Sequence, residues 1–337
     1  MQASNTAGGQ AREGERSSDR RRMARGLLSR TTLQRYFSLL FLLLTVLFFW
    51  VQTTSFLTVR NMSNVVEQCA VLVVVAMGGT FVIMAGSIDL SVGSVMGLSA
   101  VVTAGLLKHI GLWAIFVGVS VGVLCGLVNG FTFAKLKIPS FIATLGMMII
   151  ARGLNLIYTN GAPITIFVDA FLFVGQGRIG KVPNIFVIAL VVFVISFVVS
   201  KYTVFGRNIR AMGGEERVSR LSGIRIDRTK LLLYAFAGFY SGLGGVIMAS
   251  RLGAGTPLLG SGLELDVIAA VVLGGTPLTG GVGGVLGTII GSLVMITLGN
   301  GLNIMGVSPY AQMIVKGIFL IIAVWISFDR EKIGVIK

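Results

Sequence analysis

The sequence predicts an all-α integral membrane protein of about ten transmembrane helices. Three observations carry this. Only 12% of the 337 residues are charged and the mean hydropathy is +0.89, whereas a soluble domain carries about 25% charged residues. Some ten apolar runs approach the roughly 20 residues that cross a bilayer. The basic residues gather in the gaps between those runs. The net charge of +15 therefore reads as loops beside an anionic membrane surface rather than a nucleic-acid-binding face.

Residues 1–35, including "REGERSSDRRRMARGLLSR", are basic and poorly hydrophobic, and are expected to be a disordered cytoplasmic leader. The apolar run that follows is too long for a signal peptide and no small-residue cleavage site follows it, so a retained helix is expected. The ten runs are 36–58, 64–85, 88–107, 110–134, 139–158, 183–200, 230–250, 266–283, 285–305 and 308–328. Glycine and polar residues interrupt the third and the eighth. Residues 36–328 thus form the membrane domain, with a loop over 201–230 and a cytoplasmic tail over 329–337.

Charge supports the count. With the N-terminus in the cytoplasm and ten alternating spans, 21 of the 28 basic residues fall inside and five outside, while Arg152 and Lys316 lie within spans. This is the asymmetry the positive-inside rule requires, with both termini cytoplasmic. Removing one span would put the basic 201–230 loop and the basic leader on opposite sides.

"SIDLSVGSVMG" (87–97) echoes "GLELDVIAAVV" (262–272). If spans two to five repeat as seven to ten, the odd offset inverts the repeat in the membrane, as in many transporters.

Polar groups inside a bilayer are costly, so each needs a reason. Asn64, Glu67 and Gln68 share one helical face; Arg152 and Asn155 share another, as do Asn300 and Asn303, and Gln312 and Lys316. Such stripes point into a bundle or a water-filled path that would suit a hydroxylated solute. The alternative is interhelical hydrogen bonding or a position near the headgroups. Asp89 and Ser91, with Ser87, stand where they can cap a helix N-terminus that begins partway into the protein. "GGTPLTGGVGG" (274–284), with Gly274 and Gly275 at its start, lacks the Gly-Lys-Ser/Thr of a P-loop and reads as a turn or re-entrant segment.

"FGRNIRAMGGEERVSRLSGIRIDRTK" (205–230) is the one substantial charged loop. "GGEERVSRLSGI" predicts a short helix with Glu215 and Glu216 at its favourable end and Gly223 after it. It suits docking to a protein or, equally, contact with anionic headgroups. Cys69 and Cys125 lie in apolar runs and His109 is the only histidine, so neither a disulfide framework nor a metal site is indicated. No nucleophile–base or metal-ligand constellation marks an intramembrane enzyme.

"GSIDLSVGSVMGLSA", "FIATLGMMIIARGLNLIYTNGAPI", "FGRNIRAMGGEERVSRLSGI", "GLELDVIAAVVLGGTPLTGGVGGVLGT" and "GNGLNIMGVSPYAQMIVKG" resemble the membrane permease of bacterial ribose-type ABC sugar importers. The resemblance covers about 60–328. It implies the ten-helix architecture of vitamin B12-type importers and a location in the bacterial inner membrane. The implied partners are a second permease copy, a cytoplasmic ATPase that binds ATP and magnesium, and a periplasmic sugar-binding protein. This chain would hold no cofactor and catalyse no reaction. The segment with Gly206, Arg207, Gly214, Glu215, Glu216, Arg217, Leu221 and Gly223 would be the coupling element seated on the ATPase. The sugar is not specified, because permeases for other pentoses, hexoses and polyols look alike. The competing reading is an ion-coupled secondary transporter using Asp89, Glu67 or Arg152.

Overall fold

The computed structural model describes residues 30–327, with side chains from Ser38 to Trp325. The expected leader lies outside the described residues except for 30–35, and the expected tail 329–337 lies outside them altogether.

The helices are α1 (Arg30–Gln52), α2 (Val59–Met84), α3 (Val92–Ile110), α4 (Trp113–Ala134), α5 (Ser140–Thr159), α6 (Asp169–Gln176), α7 (Asn184–Tyr202), α8 (Val204–Gly214), α9 (Glu216–Leu221), α10 (Ile226–Leu252), α11 (Leu263–Leu273), α12 (Val285–Ile304) and α13 (Pro309–Ser327). Each of the ten predicted runs contains a helix. Among the described residues, α2, α3, α4, α5, α7, α10 and α12 are long and apolar enough to cross a membrane, and apolar stretches also run over Ser38–Gln52 within α1 and Pro309–Trp325 within α13.

The eighth run differs. The helix there ends at Leu273 and is only 11 residues long. At 1.5 Å per residue it rises about 16 Å, roughly half the hydrocarbon thickness. The physical reason lies in the next residues. Gly274, Gly275, Pro277 and the paired glycines at 280–281 and 283–284 favour turns over helix. The third helix also starts late, at Val92, because 85–91 is a non-helical link after α2.

α2 is the axis of the bundle. Every residue from Cys69 to Met84 is buried, and α10, α7, α12 and α11 surround it. α10 packs most extensively on α4. Gly122 and Gly126 of α4 face Gly238 and Gly242 of α10, and a Cβ on any of these would run into the backbone opposite. Between membrane helices the gain comes from such close packing rather than from apolarity alone.

The repeat inferred from sequence pairs α3 with α11. α3 packs on α4 and α5; α11 packs on α12 and α13. The two segments meet where Gly93 lies against the Gly260 carbonyl.

The 159–183 and 251–265 connections hold elements the sequence did not suggest: α6, the antiparallel pair β1 (Ile164–Thr165) with β4 (Ala254–Gly255), and the hairpin β2 (Arg178–Ile179) with β3 (Val182–Pro183). They tie the α5–α7 connection to the end of α10.

Candidate functional site

Two breaks in the helical framework meet one segment that connects α7 to α10. The first break is 85–91. Gly86 takes φ +68°, a left-handed conformation that glycine adopts without penalty. The irregular backbone beyond it is satisfied by neighbours. Leu90 N–H donates to Thr144 Oγ1 (3.1 Å), Ile88 N–H to Ser140 Oγ (3.4 Å), and Tyr234 Oη donates to the Ile88 carbonyl (3.1 Å). Non-helical backbone within a membrane protein requires such protein partners.

Asp89 is buried in this link, at 8% exposure. Its Oδ1 accepts from Ser91 N–H (2.8 Å) and Ser91 Oγ (2.6 Å). Asn129 of α4 donates in turn to Ser91 Oγ (2.9 Å). Ser91 is the residue before α3 and makes no side-chain bond to the first turn. Asp89 thus holds the turn that enters the helix, through Ser91.

The second break is 274–284. It folds back on itself, with Gly284 N–H donating to buried Thr276 Oγ1 (3.2 Å). It also reaches the first break: Gly281 N–H donates to the carbonyl of Met84, the last residue of α2 (2.9 Å). Gly274, beside the carbonyl carbon of Gly287, lets α11 close tightly on α12.

The connecting segment is α8–α9. Thr203 caps α8 by accepting from Gly206 N–H (3.2 Å), and Gly206 lies against the Ser200 carbonyl where a Cβ has no room. At the other end, Gly213 packs against the Met84 carbonyl and Gly281. Both breaks and the end of α8 therefore share one point. Glu215, in extended conformation, separates α8 from α9, and Gly223 closes α9 with φ +85°.

Glu216 turns inward rather than outward. It pairs with buried Lys230 of α10 (2.8 Å) and with Arg220 (3.1 Å), and Lys230 also lies 3.9 Å from the centre of the Phe133 ring. Burial pushes the Glu216 carboxyl up, but its hydrogen bonds and proximity to Lys230 and Arg220 outweigh this and hold it below the usual value. Arg207, Gly214, Glu215 and Arg217 are exposed, as are the apolar Val218 (58%) and Leu221 (81%). Those two, three residues apart, give α9 a small apolar face.

Residues 61–324 match the family described as "branched-chain amino acid transport system / permease component". The chain belongs to this permease family. It is 40% identical to the ribose import permease protein RbsC of Escherichia coli (strain K12) over 300 residues, covering 87% of this chain and 94% of the relative. It is 43% identical to the ribose import permease protein RbsC of Bacillus subtilis (strain 168) over 282 residues, with 82% and 87% covered. It is 34% identical to the xylose transport system permease protein XylH of Escherichia coli (strain K12) over 371 residues, with 90% and 94% covered. No solved structure matches it. The resemblance to ribose-type permeases read from the five motifs is thereby supported along nearly the whole membrane domain.

In this permease the polar stripes separate into distinct places. Arg152 pairs with Glu264 of α11 (2.7 Å), and Asn155, one turn on, donates to the Ser94 carbonyl of α3 (3.4 Å). Glu67 pairs with Arg178 (2.8 Å) and stands 3.8 Å from Arg251. Asn64 is exposed and Gln68 half-buried. Asn300 exchanges two hydrogen bonds with Asn61 of α2 (2.9 and 3.0 Å). Asn303 is exposed, and Gln312 donates to the Val307 carbonyl (2.9 Å). Among the described residues no hydrogen bond joins two of these eight side chains to each other.

Asn61, Asn129 and Lys230 were missed by sequence reasoning, and Gly213 was read only as preceding the short helix, whereas it ends α8 beside Gly214. Asn61 stands one turn before Asn64 and was the available signal. Lys316, noted in sequence as a cation within a span and the neighbour of Gln312, pairs with Asp266 (2.7 Å). Together with Arg152–Glu264, it fixes the first turn of α11 from both sides.

Proposed function

We propose that this chain is the permease subunit of an ATP-binding-cassette importer for ribose or a related monosaccharide or polyol, in the bacterial inner membrane with both termini cytoplasmic. The observation that carries this is the 40% and 43% identity to two ribose import permeases across most of both chains. The family description names branched-chain amino acids, but the individual relatives favour a sugar.

Two such permease chains form the path. A separate ATPase binds ATP and magnesium, and a periplasmic binding protein delivers the sugar onto the outer connections 159–182 and 251–265. The exposed Val218–Leu221 face of α9 seats on the ATPase, with Glu215 and Arg217 at its edge. Motion of α9 passes through α8 to Gly213, and from there to Met84 and Gly281. The helix breaks respond first because they lack the stiffness of a continuous helix. Alternating access follows when α2–α3 and α11–α12 shift about these breaks. No covalent step belongs to this chain.

The ion-coupled reading has less support. Glu67 and Arg152 each sit in an ion pair and Asp89 holds a turn; each side chain already has a structural task.

The test is to purify the tagged full chain in mild detergent and identify what accompanies it by mass spectrometry. Recovery of a P-loop ATPase, with ATP hydrolysis in the eluate, is expected. A chain that emerges alone, under conditions that preserve comparable complexes, would move the reading to secondary transport.

A further inference from the structure

A cavity of about 300 Å³ lies between the end of α7, the end of α11 and the start of α12, roofed by the glycine-rich loop. Its wall carries two cations, Lys201 and Arg210, and no acidic side chain lines it. Among the described residues neither cation has a carboxylate within ion-pair distance. Arg210 donates through one nitrogen to the Ser200 carbonyl (2.6 Å) and hydroxyl (2.9 Å). This fixes the guanidinium against the wall and leaves its remaining donors without a protein acceptor among the described residues. Lys201 is exposed, with its ammonium 5.4 Å from the ring centres of both Phe197 and Tyr202.

The floor adds to the positive field. Gly284 has no side chain to cap the 20-residue α12, so the helix presents backbone N–H groups and the positive end of its dipole. The rim is apolar: Leu286 is half-exposed and Phe197 partly so. Fixed cations, backbone donors and an apolar rim at the end of membrane helices match one chemistry, a phosphate attached to acyl chains.

We propose that this cavity binds the phosphate of an anionic phospholipid, held by Lys201 and Arg210 with its acyl chains over Leu286 and Phe197. The lipid bridges α8 to the glycine-rich loop, the same two elements that meet at Gly213. Anionic lipid therefore stiffens the link by which α8 moves the breaks. The inference rests on the proposed coupling role of α8 for its consequence. The binding itself needs neither ATPase nor sugar.

The full chain is released from detergent micelles in native mass spectrometry after titration with dimyristoyl phosphatidylglycerol or phosphatidylcholine. Phosphatidylglycerol is expected to bind more tightly, and Lys201→Gln to weaken it about fivefold, the effect of one cation near a lipid surface. Arg210→Gln is expected to act in the same direction; since Arg210 also holds Ser200, Lys201→Gln is the decisive variant if the other fails to fold. The double variant Lys135→Gln/Lys137→Gln, whose lysines pair with Asp227 elsewhere on the surface, is expected to bind as the wild type does. Equal retention of the two lipids, or equal losses in Lys201→Gln and the Lys135/Lys137 variant, overturns the proposal. Inorganic phosphate that raises the thermal midpoint of the wild type but not of Lys201→Gln, without selective phosphatidylglycerol binding, overturns the lipid and leaves a free-phosphate site. A chain that keeps selective lipid binding yet recruits no ATPase sinks the importer reading alone.

Discussion

Gly213, in the last turn of α8, stands against the carbonyl oxygen of Met84, the last residue of α2. The same carbonyl accepts a hydrogen bond from Gly281 (2.9 Å). The helix α8, the break after α2 and the glycine-rich loop 274–284 are thus joined with no side chain between them. Gly213→Ala adds a methyl group that none of the three can accept without moving. It is expected to cost about 1–3 kcal/mol as an overpacked site and to depress transport. The neighbour is the control. A Cβ at Gly214 meets nothing within 4 Å, so Gly214→Ala should leave stability within about 0.5 kcal/mol. Thermal unfolding and uptake of the two variants, side by side, check this.

Glu215 and Glu216 should separate on mutation although they are adjacent. Glu215→Lys alters an exposed edge and should impair transport while leaving insertion and folding intact. Glu216→Lys also places a cation beside buried Lys230, so it should destabilise the fold as well. Equal thermal midpoints for the two variants would contradict the inward role of Glu216.

The Glu216 carboxyl lies below its usual value near 4.5, because Lys230 and Arg220 overcome the effect of burial. A lowered acid contributes stability that is present above the unfolded-state value and is lost as pH falls through the lower folded-state value. Wild-type stability should therefore fall more steeply than that of Glu216→Gln once pH drops below about 4.5. Parallel pH profiles for the two proteins would count against the pairing.

Arg152 covers a buried carboxylate. Glu264 Oε1 takes the guanidinium at 2.7 Å, and Oε2 has no partner among the described residues. Arg152→Ala strands that charge. The cost should lie toward the low end of about 3–5 kcal/mol, because the Arg152 side chain is 42% exposed and water reaches it. Adding Glu264→Gln should recover most of the loss. Two variants equally unstable would show that the ion pair is not what Arg152 supplies.

The Asn61–Asn300 exchange is a reciprocal pair between α2 and α12. Interhelical hydrogen bonds in membranes average about 0.6 kcal/mol and reach about 1.7. Asn61→Ala and Asn300→Ala should each cost on that order, and the double variant less than their sum. Strict additivity in a double-mutant cycle would contradict the pairing.

Much of the frame was legible because hydropathy and glycine are local signals. The run 110–134 became Trp113–Ala134, 139–158 became Ser140–Thr159, and 285–305 became Val285–Ile304. The short helix with Glu216 in its first turn and Gly223 beyond it was legible from capping chemistry. The run 266–283 was read too long, because average apolarity hides what six glycines over 274–284 do to a helix. The partners were not legible. Arg152 and Glu264 lie 112 residues apart, and Asn61 and Asn300 lie 239 apart. Helical spacing identifies a face, but not what covers it. Gly213 was legible only as a residue before the short helix, since its importance lies in a backbone that only the fold brings near.

The proposed function requires that sugar cross this chain at the expense of ATP hydrolysed by a partner. The most direct measurement is uptake of labelled ribose, and of a xylose and polyol panel, by proteoliposomes holding the chain, its co-purified ATPase and the binding protein. Uptake of at least one of these solutes that requires ATP and magnesium, and that is abolished when the ATPase is omitted, is the predicted result. Uptake by the chain alone, driven by a proton or sodium gradient and indifferent to ATP, would contradict it.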